Sequence, residues 1–300
     1  MAKPRRHLKK SVKRTLWGIL VVLFALVAVH HYRARPQVAD SKPATHTVAT
    51  TTKAAPAPSK AAVQKALTAK WQAILAAHPD TPISVAVYSP QSGALVALNN
   101  HKTTPHTTAS IVKVAMLVQL LHVHHAAGET LTATEHSYAE AAIQNSDNAA
   151  ATGLYRAIGD SQGLTTLFAN LKMTNSVANA NGWVLTTTTA SDQLRLLNQI
   201  FYAKDYLSSA SRAYLKTEMG QIEADQQWGV SAGSTTFQLK NGWRQNGDNT
   251  WIVNSIGHLG TGKRSCTIAV LTDDNTSLKQ GIRLVEQFAR AAGTTLALPQ

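Results

Sequence analysis

The 300-residue chain carries 29 Lys and Arg against 16 Asp and Glu, a formal net charge of +13, and is 44% hydrophobic. Twelve of the basic residues and one acid, Asp40, fall within Met1–Lys60, leaving 29 − 12 = 17 basic and 16 − 1 = 15 acidic residues beyond it, a net of +2. The globular part is thus nearly neutral, which argues against a nucleic-acid or polyanion-binding domain, and the basicity belongs to a tail. The single cysteine, Cys266, has no partner for an internal disulfide and reads as a buried strand residue beside the apolar run Thr267–Leu271.

Residues 1–14 form a basic tail, with Lys3, Arg5, Arg6, Lys9, Lys10, Lys13 and Arg14. The apolar run Leu16–Val29 follows, and the basic flank orients it with the N-terminus in the cytoplasm. Its length fits a signal-peptide core. Trp17 and Tyr32 extend it toward both interfaces, and no small-x-small cleavage site follows, so residues 15–32 read as a signal anchor in preference to a cleaved signal peptide. The expected location is the cell membrane, single-pass with the folded domain outside, or secreted if the segment is cleaved. Residues 33–60, rich in Ala, Thr and Pro, read as a disordered stalk. It would average roughly 30 Å end to end if flexible and about 80 Å if extended.

A folded domain is expected over 61–300. Ala61–Ala77 predicts a helix, with Val63, Leu67, Trp71 and Leu75 at helical spacing. Ile83–Tyr88 and Ala94–Asn99 flank Ser-Pro-Gln-Ser-Gly, a strand–turn–strand signature. Helices are predicted from Ser110, over Ser137–Ile158 (one or two), over Leu164–Leu171 and over Ala190–Ala203. Strands follow at Thr235–Trp243, Thr250–His258 and Ser265–Thr272, then an amphipathic helix at Thr276–Ala292. This order predicts an α/β (α+β) domain: an antiparallel sheet flanked by terminal helices, with an inserted helical subdomain.

Three clusters carry chemistry. From Ile111 to Leu121 only Lys113 and Gln119 are polar, so Lys113 lies on a helix buried on nearly every side. A buried amine must be paired or shift its pKa. Ser110 lies at i−3 on the same face, a hydroxyl beside a desolvated amine, which is the pattern of a nucleophile with its base. With 20 Ser and 17 Lys in the chain, about one Ser-x-x-Lys pair arises by accident, so burial is what lifts this one. Ser146-Asp147-Asn148 is rarer, at ~0.03 expected occurrences; Ser146 and Asn148 can both enter a cleft on a turn between helices, although an N-cap also explains the residue types. Lys240-Asn241-Gly242-Trp243 ends a predicted strand, with Lys240 and Gly242 on one face and Asn241 on the other. Glycine there admits a close approach of a substrate backbone. His122, His124 and His125 have poor helical spacing for a metal, and no Cys, Asp or Glu is adjacent in sequence, so a solvated helix end is expected.

In this order the clusters resemble the serine penicillin-recognising enzymes, most closely the class A β-lactamases. The resemblance spans nearly all of Ala61–Ala292 and includes Ile158-Gly159, Thr186–Asp192 and Trp251–Asn254. It implies a β-lactamase/transpeptidase-like fold with a five-stranded sheet. It also implies Ser110 as the acylated nucleophile, Lys113 as its base, Ser146 as proton relay to the leaving nitrogen, and Lys240 as a cation polarising Ser146. Asn148, Asn241, Gly242 and Trp243 would line the substrate site, with the N–H groups of Ser110 and Trp243 as the oxyanion hole. It implies no metal and no cofactor, and a β-lactam or D-alanyl wall substrate. The charge distribution argues against nucleic acid, the N-terminal segment is expected to hold the protein to the membrane, and a monomer is expected.

The chain departs from the family pattern in three ways. Asn241 replaces the usual hydroxyl residue of the third motif. Only 146 − 110 = 36 positions separate the first two serines, which predicts a trimmed helical subdomain and a more open cleft. No acidic residue occurs between Asp160 and Asp192, where class A enzymes carry the glutamate that activates the deacylating water. The expectation is easy acylation and slow release; the alternative is a surface module that binds or traps wall ligands without turnover.

Overall fold

The computed structural model describes residues 58–100 and 105–300. The expected tail, apolar segment and stalk up to residue 57 lie outside them. Helix α1 (Lys60–Ala77) starts where the Ser59 side chain accepts the Ala62 N–H, and it buries Val63, Leu67 and Trp71 as the spacing predicts. Strands β1 (Ile83–Ser89) and β2 (Ala94–Asn99) form a hairpin whose turn puts Gly93 at φ 65°, the left-handed region that glycine adopts freely. Strands β5 (Phe237–Gln245), β6 (Trp251–Thr261) and β7 (Arg264–Asn275) complete an antiparallel sheet of order β2-β1-β7-β6-β5. The expected five-stranded sheet is therefore present, with β1 joining the N-terminal hairpin to β7. Cys266 is buried on β7, as read from the sequence.

The last helix, α8 (Leu278–Thr295), packs on β6 and β7 and meets α1. The Trp71 indole N–H donates to the Phe288 carbonyl at 3.1 Å, and the two rings meet edge to face at 6.1 Å. Burying both terminal helices on one core ties the ends of the domain together.

Between β2 and β5 runs the helical insertion. A 3-10 turn, Ala109–Ile111, leads into α2 (Val112–Ala127), in which every residue from Val112 to Leu121 is buried. Among the described residues Ala109–Ala127 alone is long and apolar enough to cross a membrane, but 67% of it is buried within the domain. It is the core helix.

The predicted helical stretch Ser137–Ile158 is two helices, α3 (Ala133–Gln144) and α4 (Asn148–Ala157), parted at Asn145–Asp147. Helix α3 begins four residues earlier than expected because Thr132 and Glu135 form a reciprocal capping box. Helices α5 (Asp160–Asn170) and α6 (Ala190–Phe201) follow, α6 packing on β1 and β7. Helix α7 (Ser209–Gly220) has no counterpart among the predicted elements: it is largely polar and buries only Ser211, Leu215, Glu218 and Met219. Nor has the two-residue ladder of β3 (His106–Thr107) with β4 (Thr187–Thr188), which is too short to show alternation.

The histidines at the end of α2 differ from expectation. His124 is not without acids: its ring nitrogens lie 3.0 Å from Glu135 and 3.4 Å from Glu129, which tie the helix end to the α3 capping box. His122 stacks on Tyr206 with centroids 3.9 Å apart. Among the described residues no group of three or more His, Cys, Asp or Glu could hold a metal ion.

Candidate active site

The turn bearing Ser110 is held from several sides. Ala109 adopts φ 46°, an uncommon conformation for a residue with a Cβ, and one that persists only where the surroundings enforce it. The Thr108 N–H donates to the Thr186 carbonyl at 2.8 Å. The buried Asn254 amide on β6 donates to the carbonyls of Thr107 (2.8 Å) and Thr108 (3.1 Å) and accepts the Thr272 N–H (3.2 Å), locking the turn to the sheet. Two residues upstream of Thr108, buried His106 lies 2.8 Å from the Asp273 carboxylate. Ser110 itself stays half-buried, open to a ligand.

Gly242 gives the strand side of this fit, for a reason other than the one expected. A Cβ at Gly242 would lie 2.7 Å from the Thr108 carbonyl oxygen and 2.8 Å from the backbone nitrogens of Ser110 and Ile111. The close approach found here is to the chain's own Ser110 turn. It seats the Ser110 N–H directly beside the edge strand, next to Trp243.

The second cluster enters from the break between α3 and α4. Asp147 caps α4, its carboxylate accepting the Ala150 N–H at 2.7 Å, while Ser146 sits at φ 58°. The aspartate caps, and the side chains of its two neighbours, half-buried Ser146 and exposed Asn148, reach Lys113. Lys113 Nζ donates to the Ser146 carbonyl at 2.7 Å and to Asn148 Oδ1 at 2.9 Å, and lies 3.3 Å from Ser146 Oγ. Lys240 Nζ lies 2.9 Å from the same hydroxyl and donates to its neighbour Asn241's carbonyl at 3.1 Å. Ser146 Oγ therefore bridges two lysines, both with 0% exposure.

Burial pulls the Lys113 amine down to about 8, partly opposed by the Asp147 charge. Burial also takes Lys240 well below its usual value, and repulsion from Lys113 adds to this. Two amines that share one hydroxyl titrate as a pair, and the pair sheds its first proton more readily than a lone lysine. A neutral Lys113 still donates to the Ser146 carbonyl and to Asn148 Oδ1, which can only accept, and keeps its lone pair for a hydroxyl. That arrangement suits proton abstraction from Ser110 and relay through Ser146.

Asn241 departs from the sequence expectation. Its side chain is buried on the far face of β5 and donates to the carbonyls of Gln226 (2.8 Å) and Trp228 (3.1 Å). The amide anchors the segment preceding β5 and is not available to a substrate. Half-buried Trp243 meets Trp228 edge to face at 5.6 Å.

Residues 171–189, between α5 and α6, supply no acid. The two flanking carboxylates stay out of the site. Asp160 is exposed at the start of α5. Asp192 is buried and accepts the Asn175 N–H (2.8 Å) and the Ser176 hydroxyl (3.0 Å), stapling the loop to α6. What the loop brings instead is Trp183, whose ring centroid lies 5.0 Å from Lys113 Nζ. Sequence reasoning missed Trp183 and gave Asn254, although it lies in the matching run Trp251–Asn254, no role of its own. Trp183 sits in a segment without periodicity, and Asn254 has the sequence surroundings of an ordinary strand residue.

A family model described as the β-lactamase enzyme family matches residues 124–296, more than half of the chain. The chain belongs to that family. The match covers Ser146, Asn148 and Lys240–Trp243 and begins beyond Ser110 and Lys113. As a member of the β-lactamase family the chain is a serine hydrolase. Solved structures with the same fold include PBP-A, 19% identical, with a TM-score of 0.66 over 80% of this chain and 97% of that one. A variant of PBP-A is known as an acyl-enzyme complex with penicillin G. The β-lactamase from Streptosporangium roseum is 20% identical, covering 79% and 99% of the two chains with a TM-score of 0.63. The TLA-1 extended-spectrum β-lactamase is 16% identical, covering 77% and 99%, with a TM-score of 0.65. At these identities the likeness establishes the fold. Among curated proteins no sequence match is found.

Proposed function

We propose that this family member is acylated on Ser110 by β-lactams or D-alanyl cell-wall substrates and releases the acyl group slowly. The observation that carries the reading is the Ser146 hydroxyl shared between two buried amines, one of them a helical turn from Ser110. Neutral Lys113 takes the Ser110 proton as Oγ attacks the substrate carbonyl carbon. The N–H groups of Ser110 and Trp243 hold the resulting oxyanion. As the tetrahedral adduct collapses, its C–N bond breaks and Ser146 gives its proton to the leaving nitrogen. Lys113 then returns a proton to Ser146. Lys240 polarises that hydroxyl, and Asn148 orients Lys113.

Release requires water and a base to receive its proton, and positioned general bases contribute typically about 10²–10⁴-fold. The loop facing Lys113, residues 171–189, carries no carboxylate and no imidazole to act as such a base. The same observation favours a second reading, a surface module that traps wall ligands covalently without turning them over. For location, the basic flank and Leu16–Val29 support a single-pass anchor with the hydrolase outside the cell.

Fluorescent penicillin followed by peptide mapping tests the assignment. One adduct on Ser110, absent from Ser110→Ala and persisting through an unlabelled chase, supports it. An adduct elsewhere, or undiminished labelling of Ser110→Ala, refutes it.

A further inference from the structure

Acylation as described makes no use of Trp183, yet its ring is fixed against the reacting amine. The 3-10 turn Trp183–Leu185 packs on the Ser110 turn Ala109–Ile111. The indole N–H donates to Thr152 Oγ1 at 3.3 Å, and that hydroxyl donates to the Asn148 carbonyl at 2.9 Å. The helix that carries Asn148 therefore also sets the orientation of the ring. Behind it, the loop is pinned by reciprocal Val177–Thr187 backbone bonds (3.0 Å each) and by the Asp192 staple. The ring is held from two sides at 5.0 Å from Lys113 Nζ.

An indole has one N–H donor and no acceptor, and here the donor is engaged by Thr152. Its face can neither hydrogen-bond an attacking water nor take its proton. We propose that Trp183 is a water-excluding cover over Lys113 that sets the lifetime of the Ser110 acyl-ester. The proposal rests on the Ser110 acylation reading. Deacylation adds a water oxygen to the ester carbonyl carbon, passes one water proton to a base and breaks the bond to Ser110 Oγ. The base returns that proton to Ser110, and the acyl group leaves as a carboxylic acid that ionises, its proton passing to solvent. Trp183 occupies the loop-side space in which that water and its base would have to meet, within about 3 Å of each other. It is a positioning residue, acting through what it keeps out.

The test is chemical rescue. Wild type, Trp183→Phe, Trp183→Leu and Trp183→Ala are acylated with penicillin, and acyl-enzyme decay is followed by intact mass with and without sodium formate, a carboxylate small enough for the vacated space. With Trp183→Ala, formate should accelerate decay in a saturable, dose-dependent manner by about 10-fold or more, a fraction of what a fixed base supplies. Trp183→Leu should respond less, and wild type and Trp183→Phe not at all. The formate response should appear in acyl-enzyme decay and not in the acylation rate, a split that simple loss of packing would not produce. Equal lifetimes in all four proteins, with or without formate, overturn the proposal, as does an equal formate response in wild type. If Trp183→Ala does not fold, the same criteria apply to Trp183→Leu against Trp183→Phe. If wild type forms no Ser110 adduct, the acylation reading has failed, a result distinct from unchanged lifetimes.

Discussion

Two walls face each other across Ser110, and they are built from different materials. The wall formed by α2, the Ser146 turn and β5 brings hydroxyls, amides and two desolvated amines within 2.7–3.3 Å of one another. The opposite wall, residues 171–189, is pinned just as firmly, by Asp192 and the β3–β4 ladder, yet presents an aromatic ring and no carboxylate. Both are rigid; only one is chemically equipped. If Ser110 is acylated as proposed, the parts for forming the acyl-enzyme and those for destroying it ride on separate segments of one fold, and one set can be present without the other.

The comparison breaks most easily at Lys113. Lys113→Ala should lower the acylation rate by about 10²–10⁴-fold, the usual contribution of a general base, while circular dichroism stays native. The wild-type pH profile sharpens the same point. The neutral amine is the reactive form, and with the pKa at about 8 acylation should climb roughly tenfold per pH unit below that value and level off above it. A profile flat from neutral pH to 9 would remove Lys113 from the base role.

Gly242→Ala comes next. A methyl group driven against the backbone of Thr108, Ser110 and Ile111 must shift the nucleophile turn or the edge strand. A displacement near 1 Å costs acylation on the order of 10²-fold. Near-normal acylation by that variant would mean that the turn yields without consequence.

The smallest effect on chemistry is expected on the other wall. Asp192→Asn weakens a buried carboxylate's bonds to Asn175 and Ser176, at about 1–3 kcal/mol. That should lower the melting temperature by roughly 2–10 °C and leave the acylation rate within a few-fold. A large drop in acylation with an unchanged melting temperature would contradict a purely structural role for this loop staple.

How much of this is legible in the sequence depends on periodicity and burial. The apolar run around Lys113 announces a buried helix, because a 3.6-residue repeat cannot hide a polar face when there is none. The strand-rich C-terminal third and the amphipathic final helix follow from the same logic, and with the N-terminal hairpin they give the sheet. Asn241 shows the limit. Alternation assigns it to the face opposite Lys240, but nothing local says that the carbonyls of Gln226 and Trp228 wait there. Gly242 is legible as a close-approach position but not as to its neighbour, since Ser110 in the turn it meets lies 242 − 110 = 132 positions away in sequence. Helix α7 escapes because two of its four buried residues, Ser211 and Glu218, are polar, which leaves only Leu215 and Met219 as an apolar stripe. Trp183 escapes because an irregular loop carries no repeat, so only tertiary packing decides where its ring points.

Acylation as proposed finds its groups in place around Ser110, whereas release lacks a placed base. Stopped-flow turnover of a chromogenic cephalosporin by the folded domain addresses both halves in one trace. The predicted result is a burst of about one equivalent per protein, followed by a steady state roughly 10²–10⁴ times slower than that of an enzyme with a placed base. Sustained fast turnover without a burst would contradict it.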